Sequence, residues 1–163
     1  MSERIEKMMK AYPQKCRELA VMKMQLCSFA GISETEVIDS MYFTGQEEER
    51  VQTSGISDKT ARIALTYRKR AEQINREWYA YLFEQYTKLK EELEFFEMAV
   101  GQLSGYLPGL IHDLVLQRET WETVMERYHI SRKMVAKCRH KAIVELEQIY
   151  QLRDEQMQAY ILE

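Results

Sequence analysis

The side chains best suited to chemistry in this sequence are the basic residues of its last third. Between Glu126 and Glu145 the chain has six basic residues and no acidic one: Arg127, Arg132, Lys133, Lys137, Arg139 and Lys141. Lysine and arginine side chains bind phosphate groups, and the N-terminus of a helix attracts the same anion. The pattern therefore predicts a phosphate-binding surface, with an ordinary solvated helix face as the alternative.

The charge of the chain is unevenly distributed along the sequence. The whole 163-residue chain has a net charge of -3, whereas residues 117 to 153 contain eight basic and five acidic side chains. The molecule as a whole is therefore not a polycation. Any nucleic-acid site must be local to this basic stretch.

The same stretch has the pattern of two short helices joined by a turn. Thr120 and Ser131 are residue types that cap helix N-termini, and His129-Ile130 would form the turn between the helices. The predicted inward faces are Trp121, Val124, Met125 and Tyr128 on the first helix, and Met134, Val135, Cys138, Ala142, Ile143 and Leu146 on the second. Two helices in this arrangement are typical of a helix-turn-helix motif.

In such a motif the exposed start of the second helix enters the major groove of DNA. We therefore predict contacts to base edges from Arg132, Lys133, Ala136 and Lys137. Contacts to phosphates, which set the register on the duplex, are predicted from Thr120, Arg127, Ser131, Arg139, His140 and Lys141.

A family resemblance rests on these residues. The pattern is Thr120-Trp-Glu-x-Val, followed by Tyr128-x-Ile130-Ser131-Arg132-x-x-Val135-x-x-Cys138-x-x-Lys141-Ala142-x-x-x-Leu146. It resembles the DNA-binding fourth region of bacterial sigma factors and covers the last third of the chain. Together with a long helical part before it, the chain resembles the sigma-like activators of phages and mobile elements of the RinA and ArpU type.

The resemblance implies promoter binding through the second helix, with RNA polymerase as a further partner. Lys133 stands where sigma factors that bind the ordinary upstream promoter element tend to have an acid, so that target sequence is not expected. No part of the chain resembles the sigma region that melts promoter DNA. A self-sufficient sigma factor is therefore not expected either.

Two long helices are predicted before this motif. In the first, apolar residues follow a helical stripe from Ile5 to Phe29, with Pro13 as a kink or late start and Gly31 as the stop. A short helix is predicted at Ser33 to Met41, followed by a loop up to Gly55.

The second long helix would begin at the N-cap Ser57 or Asp58 and run for about 45 residues, since no Gly or Pro occurs before Gly101. Its heptad-like stripe, interrupted by one stutter, is Ala64, Tyr67, Ala71, Ile74, Trp78, Leu82, Tyr86, Leu89, Leu93, Phe96, Val100 and Leu103. Such a helix must pack against the first helix, against a second copy of itself, or against both. Aromatic residues beside the stripe, such as Tyr81 and Phe83, favour a small bundle.

These elements predict an all-α fold with two domains. Residues 1–104 would form a bundle or coiled-coil-like hairpin that dimerises, and residues 105–163 the helix-turn-helix DNA-binding domain. The small number of turn formers, Gly 6 and Pro 2, and the lack of strand-like alternation favour this class.

Several classes of function are not expected from the sequence. The three histidines share no metal-ligand spacing with each other or with cysteine, and Cys138 falls on an inward face. No catalytic motif and no cofactor motif occurs, so we expect neither an enzyme nor a bound cofactor or metal. The cysteine usage and the lack of a long apolar run predict a cytoplasmic protein without membrane contact.

The sequence thus predicts a DNA-binding transcriptional regulator that forms a homodimer through its long helix. The alternative is a helical adaptor or assembly protein, such as a phage packaging component, that binds protein partners through the long helices. Salt dependence separates the two hypotheses, because neutralising several phosphates makes DNA binding weaken steeply with salt.

Overall fold

The computed structural model describes residues 2–31, 33 and 56–162, which form five α-helices and no β-strand. The helices are α1 (Ser2–Cys27), α2 (Ile56–Gly101), α3 (Leu107–Ile111), α4 (Trp121–Tyr128) and α5 (Arg132–Leu162), and a π-helical turn (His112–Leu116) continues α3. The predicted all-α class is confirmed. No helix in the described part of the chain is long and apolar enough to cross a membrane. The helix predicted from Ser33 and the loop after it lie, apart from Ser33 itself, outside the described residues.

The long helices follow the predicted bounds with two corrections. α1 runs through Pro13 from Ser2, so a late start at this proline is wrong. Because proline lacks an N–H, α1 loses one intrahelical hydrogen bond at Pro13. The packing of one side of the helix against the core offsets this loss. α2 begins at Ile56, before the predicted N-cap, and ends at Gly101 as predicted.

The chain divides into two compact units. The first comprises Met1–Val21 and Lys88–Glu163, and the second comprises Met22–Thr87. This division differs from the predicted boundary between residues 104 and 105, because α1 and the end of α2 bury their apolar side chains in the same core as α3, α4 and α5. The functional division into residues 1–104 and 105–163 stays a prediction.

The core of the first unit receives side chains from all five helices. Predicted stripe residues that are buried include Ile5 and Tyr12 of α1 and Phe96 of α2. Full burial of a large apolar side chain contributes about 1.5–3 kcal/mol. The buried residues of this core are Ile5, Met8, Met9, Tyr12, Leu93, Phe96, Ala99, Val100, Leu103, Leu107, Leu110, Ile111, Val124, Val135, Cys138, Ala142, Ile143, Leu146 and Tyr150.

Polar contacts at the edge of this core fix the position of α1. The Tyr12 hydroxyl donates a hydrogen bond of 2.6 Å to Glu97 Oε1 of α2. Burial and this carboxylate raise the pKa of Tyr12, so the hydroxyl stays protonated and remains a donor. On the other side, Arg4 Nη1 lies 2.6 Å from Asp154 Oδ2 of α5. The start of α1 is thereby held against both α2 and α5.

Few of the described apolar side chains of the second unit are buried. Ala71 and Leu82 are buried there, as the stripe predicts. Trp78, which the stripe also places inside, is 44% exposed, so its predicted core position is wrong. The Phe29 ring packs edge-on against Tyr79 at a centroid distance of 5.2 Å. Aromatic surface therefore remains open to solvent in this unit.

Candidate nucleic-acid interface

The turn between α4 and α5 is defined by hydrogen bonds at both helix ends. Thr120 Oγ1 accepts a hydrogen bond of 3.2 Å from the Thr123 N–H, so Thr120 caps α4 as predicted. His129 has a left-handed backbone with φ 53°, a conformation that reverses the chain at the end of a helix. Ser131 Oγ then accepts from the Met134 N–H at 3.3 Å and caps α5. The predicted caps of both helices are confirmed.

Apolar side chains hold α4 against α5. Val124 of α4 and Val135 of α5 are fully buried, and Cys138 one turn further on is buried as well. Met134, predicted to point inward, is 41% exposed, so that prediction is wrong. The physical reason is the register of α5, since buried positions recur every three or four residues from Val135 and leave Met134 at the edge of the stripe.

The opposite side of α5 presents a surface that we call the basic face. It consists of the exposed residues Arg132, Lys133, Ala136, Lys137 and His140. Counted from Arg132, the other four lie one, four, five and eight residues further along the chain. These offsets place all five on one side of the helix. Among the described residues, none forms an ion pair with Lys133 or Lys137. These two ammonium groups are therefore available to an external anion.

Two further basic residues make only weak contacts. The Arg132 guanidinium lies 5.5 Å from the ring centroid of Trp121 and 3.6 Å from Glu122, while its side chain stays 71% exposed. Lys141 Nζ lies 3.8 Å from Glu145 and is 65% exposed. Exposed pairs at such distances contribute about 0–1 kcal/mol. Both cations therefore remain free to exchange these contacts for a phosphate or a base edge.

Arg127 of α4 is in a different environment. Its Nη1 lies 2.8 Å from Asp113 Oδ2 and 2.6 Å from Glu119 Oε2. The Tyr128 hydroxyl donates a second hydrogen bond, of 2.9 Å, to the same oxygen of Asp113. Two carboxylates thus neutralise the guanidinium. Arg127 ties α4 to the preceding segment, and we leave it out of the proposed interface.

The pKa values of this cluster reflect the same contacts. Burial alone would raise the pKa of Asp113, but the hydrogen bonds from Arg127 and Tyr128 outweigh it and lower this pKa. Burial and the hydrogen bond to Asp113 raise the pKa of Tyr128. Gly109 allows the tyrosine to approach, since a Cβ there would lie 2.8 Å from the Tyr128 hydroxyl. In this cluster the guanidinium charge of Arg127 is already paired within the fold.

The remaining predicted phosphate contacts lie near the start of α5 or beside it. Thr120 and Ser131 use their hydroxyl oxygens as caps and are exposed, and His140 is exposed on the basic face. Arg139 is half-buried and lines a cavity together with Arg118 and Lys10, which sequence reasoning missed. Arg118 lies within the basic stretch, so its charge was visible in the sequence. Nothing in the pattern indicated that Lys10 on α1 would lie near it.

The described residues contain no group of three or more His, Cys, Asp or Glu side chains that could hold a metal ion. Cys138 is buried and its Sγ lies 3.2 Å from the Tyr106 hydroxyl. Comparison of the chain with protein-family models, with curated proteins and with solved structures gives no match.

Proposed function

We propose that the protein binds duplex DNA through the basic face and acts as a sequence-specific transcriptional regulator at a promoter. The observation that carries the proposal is the pair of exposed lysines, Lys133 and Lys137, on a capped helix end where no acid neutralises them. A helix presented in this way fits the major groove of B-DNA, and its first turns reach the base edges.

The proposed contacts follow from the geometry of α5. Arg132, Lys133 and Lys137 would hydrogen-bond base edges, with guanine O6 and N7 as the acceptors suited to basic side chains. Ala136 lies between them, and its methyl group is too small to keep the helix away from the floor of the groove. Lys141 and His140, further along α5, would contact phosphates and set the register.

The role at a promoter rests on the sequence resemblance. Because the pattern from Thr120 to Leu146 is similar to the fourth region of sigma factors, we propose RNA polymerase as a second partner. The absence of a promoter-melting region among the recognisable motifs favours a protein that assists or redirects polymerase, rather than one that replaces a sigma factor.

A pair of variants at Ala136 tests DNA binding. Ala136→Glu places an anion among the cations of the basic face, whereas Ala136→Gln adds a side chain of the same shape without charge. We expect the Glu variant to bind duplex about tenfold or more weakly than the Gln variant, because like charges repel across the interface. The measurement is retention of DNA fragments from the protein's own genomic neighbourhood, competed with random duplex over a salt series.

Two controls make the result decisive. Both variants should show the helical content and thermal midpoint of the wild type, since an exposed helix position tolerates either residue. If folded wild-type protein retains no fragment at low salt, or if the Glu and Gln variants bind equally well, the basic face is not a DNA-binding surface.

An assembly role through self-association is the second candidate function, favoured by the exposed aromatic side chains of the second unit. Trp78, Tyr79, Tyr81 and Phe83 are each 42–54% exposed on α2. The Trp78 and Tyr81 rings stack at a centroid distance of 5.9 Å and form one exposed aromatic face. Exposed aromatic residues are enriched at protein interfaces, and we propose a second copy of the chain as the occupant. Sedimentation should show a dimer that Trp78→Ser plus Tyr81→Ser weakens. A monomer at high concentration would reject this proposal.

A further inference from the structure

A cavity in the first unit collects three cations from three separate parts of the chain. They are Lys10 of α1, Arg118 in the segment before α4, and Arg139 of α5. The cavity has a volume of about 300 Å³ and no acidic residue in its lining. Its remaining walls are formed by Met9, Pro13, Leu114, Val115 and Trp121. We call this site the cationic cavity.

The three charges lack internal partners. No ion pair with a described residue is formed by Lys10, Arg118 or Arg139, whereas other cations of the unit, such as Arg4 and Arg127, are paired with acids. Like charges around one cavity repel each other, and an anion between them would relieve that repulsion. Arg127 of the same unit, by contrast, binds two acids.

The backbone at Arg118 is held in a conformation that this residue type rarely adopts. Its φ is 56°, in the left-handed region, which is strained for a residue with a Cβ. The next residue, Glu119, donates its N–H to the Asp113 carbonyl at 2.9 Å, and its carboxylate binds Arg127. The surrounding contacts therefore impose this turn, which places the Arg118 side chain at the cavity.

From this arrangement we propose that the cationic cavity binds a phosphate group. Arginine and lysine together offer charge and hydrogen-bond donors for phosphate oxygens. The apolar wall beside them, with the Trp121 ring, fits the organic part of a phosphate ester better than bare inorganic phosphate. The source of the phosphate is either a free phosphate compound or the backbone of bound duplex DNA, and the two sources give different experimental results.

The first arm of the test uses pyrophosphate as the probe and needs no DNA. In a Trp78→Phe background Trp121 is the one remaining tryptophan, because the chain has two. We expect pyrophosphate to change its fluorescence at constant ionic strength, and Arg118→Gln and Lys10→Gln to raise the apparent Kd about tenfold each. Lys7→Gln, an exposed α1 lysine outside the cavity lining, is the matched control and should leave the Kd unchanged.

The second arm measures duplex binding against salt. If the cavity holds a DNA phosphate, each loss of a cavity cation lowers the slope of log K against log salt by about 0.9, and Lys7→Gln does not change it. Should Arg118→Gln fold poorly, Arg118→Gly removes the same charge while accepting the positive φ. Its folding is checked by thermal unfolding.

The outcomes separate this proposal from the proposed function. A pyrophosphate effect lost in the cavity variants, with an unchanged duplex slope, identifies a free phosphate compound as the ligand. A reduced slope identifies the DNA backbone, and this arm alone rests on the proposed function. If the cavity variants match Lys7→Gln in both arms, the cavity is not a phosphate site. Ala136→Glu, which disables the basic face, should not change the pyrophosphate titration.

Discussion

Arg127 and Lys137 belong to the same pair of helices and lie in the same basic stretch, but their surroundings differ completely. Arg127 is held between Asp113 and Glu119 at 2.8 and 2.6 Å. Lys137 is exposed and has no ion pair with a described residue. One cation stabilises the position of α4, and the other is open to a ligand.

The difference shows why charge counting along a sequence overestimates an interface. The acids that neutralise Arg127 precede it by eight and fourteen residues, outside the acid-free window from 127 to 144. Residues this far apart in the sequence come into contact only when the helices pack in the folded chain. Whether a charge is available to a ligand is therefore a property of the packed structure.

The largest effect is expected from removing the neutralised cation. Arg127→Ala leaves the partly buried carboxylates of Asp113 and Glu119 without their partner, so we expect the free energy of unfolding to fall by more than in Lys133→Gln or Lys137→Gln. Arg127→Lys keeps the charge and should recover part of the loss. The measurement is urea unfolding. Duplex affinity of the folded Ala variant should stay near the wild-type value, and a selective loss of DNA binding would contradict the structural role.

A smaller effect is expected from pH. Burial raises the pKa of Asp113, but the hydrogen bonds from Arg127 and Tyr128 outweigh it and lower this pKa in the folded protein. The ionised carboxylate therefore stabilises the native state. The stabilisation is complete above the ordinary aspartate pKa and is lost as pH falls through the folded value. Asp113→Asn should therefore be less stable than the wild type at neutral pH, and the difference should shrink in acid. Chemical unfolding at several pH values measures it, and a constant difference would exclude this linkage.

The sequence predicted the helices well because their signals are local. The caps Thr120 and Ser131, the apolar spacing of α1, and the uninterrupted stretch up to Gly101 each depend on neighbours within a few residues. The errors concern side chains at the edge of a stripe, such as Met134 and Trp78, whose burial depends on what packs beside them.

The candidate site was predicted less completely. The basic face follows from helical spacing alone, so its residues were found. The cationic cavity joins Lys10 to Arg139 across most of the chain, and the ion pairs of Arg127 depend on a turn with a left-handed residue at Arg118. Neither the cavity nor these ion pairs can be predicted from the spacing of residues along one helix, because each arises from the packing of separate parts of the chain.

The smallest effect on stability is expected at the basic face itself. Lys133→Gln and Lys137→Gln replace exposed, unpaired cations by good helix formers, so the free energy of unfolding should change by less than about 0.5 kcal/mol. The same variants should lower the salt slope of duplex binding by about 0.9 wherever the lysine neutralises a phosphate, and relax base preference wherever it contacts a base edge. A fragment competition series with both variants distinguishes these roles. If either lysine proved as important for stability as Arg127, its charge would have a partner within the folded chain, and the contrast between the two kinds of cation would not hold.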